Sequence, residues 1–328
     1  MLNLRSVYLV ALAALFFGCG QSSDVKVLKL AHGLDVNHPV HKGILNMGDR
    51  LVEKSGGKMS IQVYPSGQLG GERECLELLQ IGSLAMTKVS AAALENFIPN
   101  FEVLGLPYMF SSQQHSFDVL DGPIGDDLLS QGDKFLFRGL CFYDAGARSF
   151  YTMERPIDRP EDLEGYKIRV MKSATSVNMV AALGGSPTPI SFGELYAALQ
   201  QGVVDGAENN PPSFYTSRHY EVCKYYSIDE HTMIPDVLLI SLEWWNALSD
   251  QEQKWVKESA KESVSFQRKA WAESVEESLR IVKEAGVEVS YPDKALFEDK
   301  VQDIYASYKD DPEKYELIQR IKAANNEK

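Results

Sequence analysis

The sequence predicts an α/β fold, and three observations carry that prediction. Residues 165–211 alternate short strands and helices in a β-α-β-α-β rhythm. The amino-terminal part repeats the rhythm, with strands at about 26–31, 59–64 and 85–89 separated by helical patterns at 40–54 and 72–81. From 249 to 285 there is neither Pro nor Gly, and apolar residues recur at helical spacing, so this stretch reads as one long helix.

Composition sets the outer bounds. The 328 residues are 44% hydrophobic and 24% charged, enough for a large core or two lobes. The formal net charge is −13 and no basic stripe stands out, which excludes nucleic acid as a partner class. An acidic chain that binds an anion must do so through placed local cations.

The chain begins MLNLRSVYLVALAALFFGCG. Arg5 and the apolar run 7–17 read as an export signal over 1–18, too short to span a bilayer. Gly18-Cys19 has the form of a lipoprotein processing site, which makes Cys19 a lipidated first residue and 19–25 a polar tether that contacts the membrane. Cleavage a few residues further on is the alternative. Cys75, Cys141 and Cys223 are odd in number and far apart, so one disulfide at most can form; buried thiols are the preferred reading.

The first strand, KVLKLA, leads into a loop with His32, His38 and His41. His32 could donate to a ligand from there. His38 and His41 have no third ligand nearby, so no metal is expected. The 40–54 helix stops at Ser55-Gly56-Gly57. The 72–81 helix has an acidic first turn that suits its dipole. Lys88 and Ser90 close the third strand and face a cleft. Residues 136–142 form a buried apolar strand. In the 165–211 stretch, Tyr166 to Met171 is a strand, about 174–183 a helix ending at Gly184-Gly185, 188–191 a second strand, and 193–201 a second helix. Arg169, Phe192 and Asn209 fall near strand ends, where open α/β sheets bind small ligands. One forked cation, one ring and one amide suit a small organic acid. Ser249 and Glu252 make a capping box at the start of the long helix, and 287–291 and a charged helical tail follow.

Several of these segments together resemble the solute-binding subunits of TRAP (tripartite ATP-independent periplasmic) transporters. The resemblance rests on IRVMKS and SPTPISFGELYAALQQGVVDGAENNP, with YPSGQLGGERE and GARSFYT upstream and EHTMIPDVLLIS downstream. It implies a bilobal periplasmic-binding-protein-like fold: two α/β lobes joined by crossover strands and one long spanning helix. Lobe I would be 26–146 plus 235–274, and lobe II 147–234 plus 275–328. It also implies that Arg148 is a second arginine facing the ligand, that Glu72 reaches the ligand, and that Glu208 and His231 support the site from behind. A membrane permease is the implied partner and no cofactor is implied. GAENNPPSF is similar to the variant in members that take hexuronates, with Asn209, Asn210, Glu72, His32 and Lys88 serving the hydroxyls. Sialic acid and C4-dicarboxylates are the other ligands to weigh, and Lys88 would be the second cation for a diacid.

Two other classes, an enzyme and a structural protein, compete with this one. GxSxG, HExxH, P-loop and GxGxxG motifs are absent. Glu72 and Glu208 could in principle form a glycosidase pair, but nothing local calls for it. A structural or adhesive protein would not need Arg148, Arg169 and Asn209 to converge.

Overall fold

The structure is a computed structural model that describes residues 25–324. The expected export signal, Cys19 and nearly all of the tether lie outside the described residues.

Two sheets organise the chain. The first contains β1 (Lys26–Ala31), β2 (Met59–Tyr64), β3 (Met86–Ser90), β4 (Phe137–Tyr143) and β10 (Asp236–Ser241) in the order β2-β1-β3-β10-β4. The second contains β5 (Arg148–Thr152), β6 (Lys167–Val170), β7 (Ser186–Pro189), β8 (Gly206–Asn209), β9 (Tyr225–Thr232) and β11 (Glu288–Ser290) in the order β11-β9-β5-β8-β6-β7. Strands alternating with helices would by themselves give parallel sheets. Each sheet is mixed, with β10 antiparallel to β3 and β4, and β5 antiparallel to β8 and β9. The physical reason is the crossover. β5 and β10 each follow directly from a strand of the other sheet, so they enter at the cleft edge and run against their neighbours.

Alternation along the strands builds a core on each face. In β10, Val237 and Leu239 join one cluster while Leu238 and Ile240 join the other. Phe150, Ile168 and Val170 face one side of the second sheet, and Tyr151, Ala207 and Tyr226 the other.

The second strand of the 165–211 stretch is Ser186–Pro189, two residues earlier than expected at 188–191. It is the edge strand beside β6. Ser186 and Ile190 donate to Tyr166 and Val170 carbonyls. Pro187 and Pro189 therefore turn their N–H-less nitrogens outward, where a sheet edge needs no donor.

α2 (Glu72–Gln80), α3 (Ala91–Leu94) and α8 (Pro211–Thr216) bring residues to the site, α1 (Pro39–Ser55), α4 (Gln113–Leu120) and α5 (Pro123–Ser130) pack into the first lobe, and α6 (Ala174–Ala182) and α7 (Leu195–Gln200) flank the second sheet. After α9 (Leu242–Ala247) comes α10 (Asp250–Glu284), capped by the Ser249–Glu252 box. Its 35 residues extend about 50 Å at 1.5 Å per residue. Val256, Ala260 and Trp271 pack on the first sheet's core, and Leu279 and Val282 on the second's. The tail departs from expectation. Phe297 and Val301, in and just after α11 (Lys294–Lys300), stay with the second lobe. After α12 (Gln302–Ser307), Leu317, Ile318 and Ile321 of α13 (Pro312–Ala323) pack into the first-sheet core. Lobe II thus does not keep all of 275–328, because the apolar face of α13 finds its partners on lobe I.

Candidate functional site

The carboxyl ends of both sheets meet at a cleft of about 640 Å³. Glu72, Lys88, Ser90 and Asp236 line it from the first lobe, and Arg148, Arg169, Phe192, Asn209 and Asn210 from the second.

Arg169 projects from β6 and is 2% exposed. Its Nε donates to the Ile190 carbonyl at 2.8 Å, and its Nη1 has no partner among the described residues. The Phe192 ring centroid lies 5.8 Å from its Cζ. Burial pushes this guanidinium below its ordinary value, and no carboxylate among the described residues bonds to it. Phe192 is itself propped edge-on by the His219 ring at 5.7 Å.

Arg148 is in the opposite condition. It donates from Nε and Nη2 to the two Glu208 carboxylate oxygens, from Nη2 to the Glu208 carbonyl at 2.8 Å, and from Nη1 to Asn209 Oδ1 at 2.9 Å. Burial would raise the Glu208 carboxyl, but the Arg148 charge and His231 outweigh it and hold it at about 2. His231 Nδ1 bonds Asp229 Oδ2 at 2.8 Å, and its Nε2 faces Glu208 at 3.6 Å, an ion-pair distance. Burial disfavours the imidazolium, yet Asp229 and Glu208 raise it to about 9. The chain Asp229–His231–Glu208–Arg148 is thus charge-balanced within itself.

Asn209 Oδ1 accepts from Arg148 and from the Asn210 N–H, which leaves its Nδ2 donors free. Asn210 caps α8 by accepting from the Ser213 N–H at 2.9 Å, and donates to the Ala145 carbonyl of the crossover at 3.0 Å. It ties the site to the hinge.

On the other wall, Glu72 Oε1 accepts from the Ser90 N–H at 2.8 Å, while Ser90 Oγ caps α3. Lys88 Nζ lies 3.1 Å from Asp236 Oδ1 and 3.4 Å from Glu72 Oε1. Burial alone would lower the Lys88 ammonium, but these two carboxylates raise it. Lys88 is therefore already paired with two acids where it lines the cleft.

His32 is the misplaced expectation. It does not line the cleft. Its Nδ1 accepts from the Leu34 N–H at 3.1 Å and its Nε2 meets His41 Nδ1 at 2.9 Å, so both ring nitrogens are spent, one within the loop and one on α1. Gly33, Leu34 and His38 face the cleft instead, and His38 Nε2 touches Ser213 Oγ at 3.2 Å across the lobes.

Sequence reasoning missed Asp236, Asp229 and Gln267. Gln267 of α10 bonds both the N–H and the carbonyl of Asp144 in the crossover, at 2.9 and 2.7 Å. Asp236 follows Pro235 within the HTMIPD segment, and that motif was the available signal. Cys75, Cys141 and Cys223 are buried free thiols.

Two sheets, two crossovers and a long helix around a shared cleft define a bilobal solute-binding protein. The model of the bacterial extracellular solute-binding protein family 7 matches residues 30–311, and the chain belongs to that family, a receptor family rather than an enzyme family. The protein YiiZ of Salmonella typhimurium is 41% identical over 95% of this chain and 94% of its own length. A TRAP periplasmic solute-binding protein of Xanthobacter autotrophicus, solved with bound β-D-galacturonate, is 40% identical with a TM-score of 0.87, covering 90% of this chain and 99% of that one. A TRAP solute-binding protein of Anaerococcus prevotii, solved with D-glucuronate, is 38% identical with a TM-score of 0.89, covering 92% and 99%. This chain is a TRAP solute-binding protein of the same fold. Members of the family work outside the cytoplasm.

Proposed function

We propose that this receptor captures a hexuronate, D-galacturonate or D-glucuronate, and delivers it to the membrane permease of a TRAP transporter. The observation that carries the reading is Arg169: a buried guanidinium in the cleft with an unpartnered Nη1. A buried cation of this kind is costly until an anion reaches it. The ligand carboxylate pairs with Arg169 in a forked geometry. Asn209 Nδ2 donates to the same carboxylate end, and the remaining Arg148 N–H reaches it or a neighbouring hydroxyl. Phe192 packs on the apolar face of the sugar ring. Glu72, Lys88 and Ser90 address the hydroxyls, and Glu208, His231 and Asn210 hold the arginine and the hinge in place. The hexuronate-bound neighbours support this ligand class. Closure of the lobes around the ligand buries the charge pair, and contacts made only in the closed form drive it. Sialic acid and C4-dicarboxylates are the competing ligands. The pairing of Lys88 with Asp236 and Glu72 speaks against a diacid.

The export signal over 1–18 and a lipid on Cys19 complete the proposal, placing the receptor in the periplasm on a membrane anchor. Fatty-acid labelling that persists in a Cys19→Ala variant would remove the anchor. The ligand reading is tested by thermal shift on chain unfolded and refolded to strip carried-over ligand. A rise in melting temperature with galacturonate or glucuronate, and none with galactose, supports it. A rise only with sialic acid or dicarboxylates discards it.

A further inference from the structure

The two walls of the cleft differ in charge. The first lobe contributes Glu72, Arg73, Glu74, Lys88 and Asp236. Arg73 is committed to Glu77 at 3.1 Å on the exposed face of α2. Lys88, 3% exposed, stands between Asp236 and Glu72. His38, the other titratable group of this wall, is held neutral, by burial first and by the nearby Lys88 charge second. One buried cation is thus shared by two carboxylates, and the wall keeps an excess of negative charge. On the second lobe Arg148 is matched by Glu208, and Arg169 has no carboxylate bonded to it. Lys172 and Glu194 stand at the exposed rim, where solvent screens them.

We infer that Glu72 and Asp236 make the cleft selective for sugar acids with a single carboxylate, and that they exclude the six-carbon diacids (aldarates). The inference rests on the hexuronate reading and deepens it. A hexuronate closes into a ring with its anomeric hydroxyl at the end remote from the anchoring carboxylate, whereas its aldarate is an open chain with a second carboxylate at that end. There the uronate offers a hydroxyl, which donates to a carboxylate oxygen. The diacid offers a second carboxylate, which can only accept. Against Glu72 and Asp236 it loses the hydrogen bond and meets like charge, and juxtaposed like charges in a binding site cost several powers of ten in the worst cases. Lys88 cannot answer both, because its ammonium is already divided between two acids. Glu72 and Asp236 would therefore set specificity by exclusion as well as by attraction.

The test is titration calorimetry of the mature chain with D-galacturonate, D-glucuronate, galactarate and glucarate, and with galactonate and gluconate as open-chain acids of a single carboxylate. Wild type should bind a uronate at least ~100-fold more tightly than the matching aldarate, and the open-chain monoacid more tightly than the open-chain diacid, which separates like-charge contact from ring closure. Glu72→Gln should narrow that ratio by roughly tenfold or more, since Lys88 is then released toward the ligand. Asp236→Asn is the second variant should Glu72→Gln fail to fold. Equal wild-type affinity for uronates and aldarates overturns the inference and leaves the hexuronate reading standing. So does an unchanged ratio in a folded variant. No binding of either uronate by wild type removes the hexuronate reading itself, and the inference with it.

Discussion

Arg148 and Arg169 enter the same cleft in opposite electrical states. Arg148 is bonded to both carboxylate oxygens of Glu208, whereas Arg169 is 2% exposed, with its Nη1 unpartnered. One is a finished ion pair. The other is half of one.

Replacing Arg169 separates binding from folding. In Arg169→Met the ligand carboxylate loses its partner, and affinity for a uronate should fall by about 100-fold or more. The ligand-free protein should melt no lower than wild type, because an uncompensated buried charge has been removed. Calorimetry and a melting curve of the stripped protein check both halves. A large drop in melting temperature without ligand would show that Arg169 holds the fold.

Glu208→Gln does the reverse. It leaves Arg148 and His231 buried without their shared carboxylate, and breaking such a pair from one side costs roughly 3–5 kcal/mol. Urea unfolding of the ligand-free variant measures this directly. A loss under about 1 kcal/mol would mean that the network relaxes around the change.

His231 predicts a pH dependence. Its value is raised in the folded state to about 9 from the ordinary 6.5. The stability it contributes is therefore fully present below 6.5 and is lost as pH rises through about 9. Wild type should lose stability relative to a His231→Gln variant across that window. The check is the difference between their urea unfolding free energies at about pH 6 and about pH 9.5. Parallel curves would show that His231 does not take up its proton on folding.

Gly146 tests the hinge. It lies in the first crossover with φ +57, and a Cβ there would sit 2.8 Å from Trp271 Nε1 on α10. Gly146→Ala adds left-handed strain of about 1–2 kcal/mol to that collision. The melting temperature should drop, and stopped-flow binding should slow if the crossover bends on closure. An unaltered melting temperature would show that the crossover yields freely.

Much of this was legible along the chain. Arg169 could be read because an alternating strand puts it near a strand end and its motif surrounds it. Glu208 and His231 were read as supporting residues, and both lie behind Arg148. His32 follows its strand as closely as Lys88 and Ser90 sit to the end of theirs, yet it turned inward. That choice depends on His41, which a helix brings within 2.9 Å. Asp144 and Gln267 are 123 residues apart and carry no local sign that they bond. The tail helix α13 was assigned to the wrong lobe because its apolar face says that it packs, not against what.

The sequence by itself determined the rhythm of strands and helices, the long capped helix and the residue types gathered at strand ends. These follow from short-range periodicity and capping, which each segment carries alone. Only the tertiary structure decided which cations were left unpaired. Lys88, Arg148 and Arg169 look alike in a sequence. Asp236, Glu208 and the absence, among the described residues, of any bonded acid beside Arg169 are facts of proximity between distant segments, and charge neutralisation is a property of proximity.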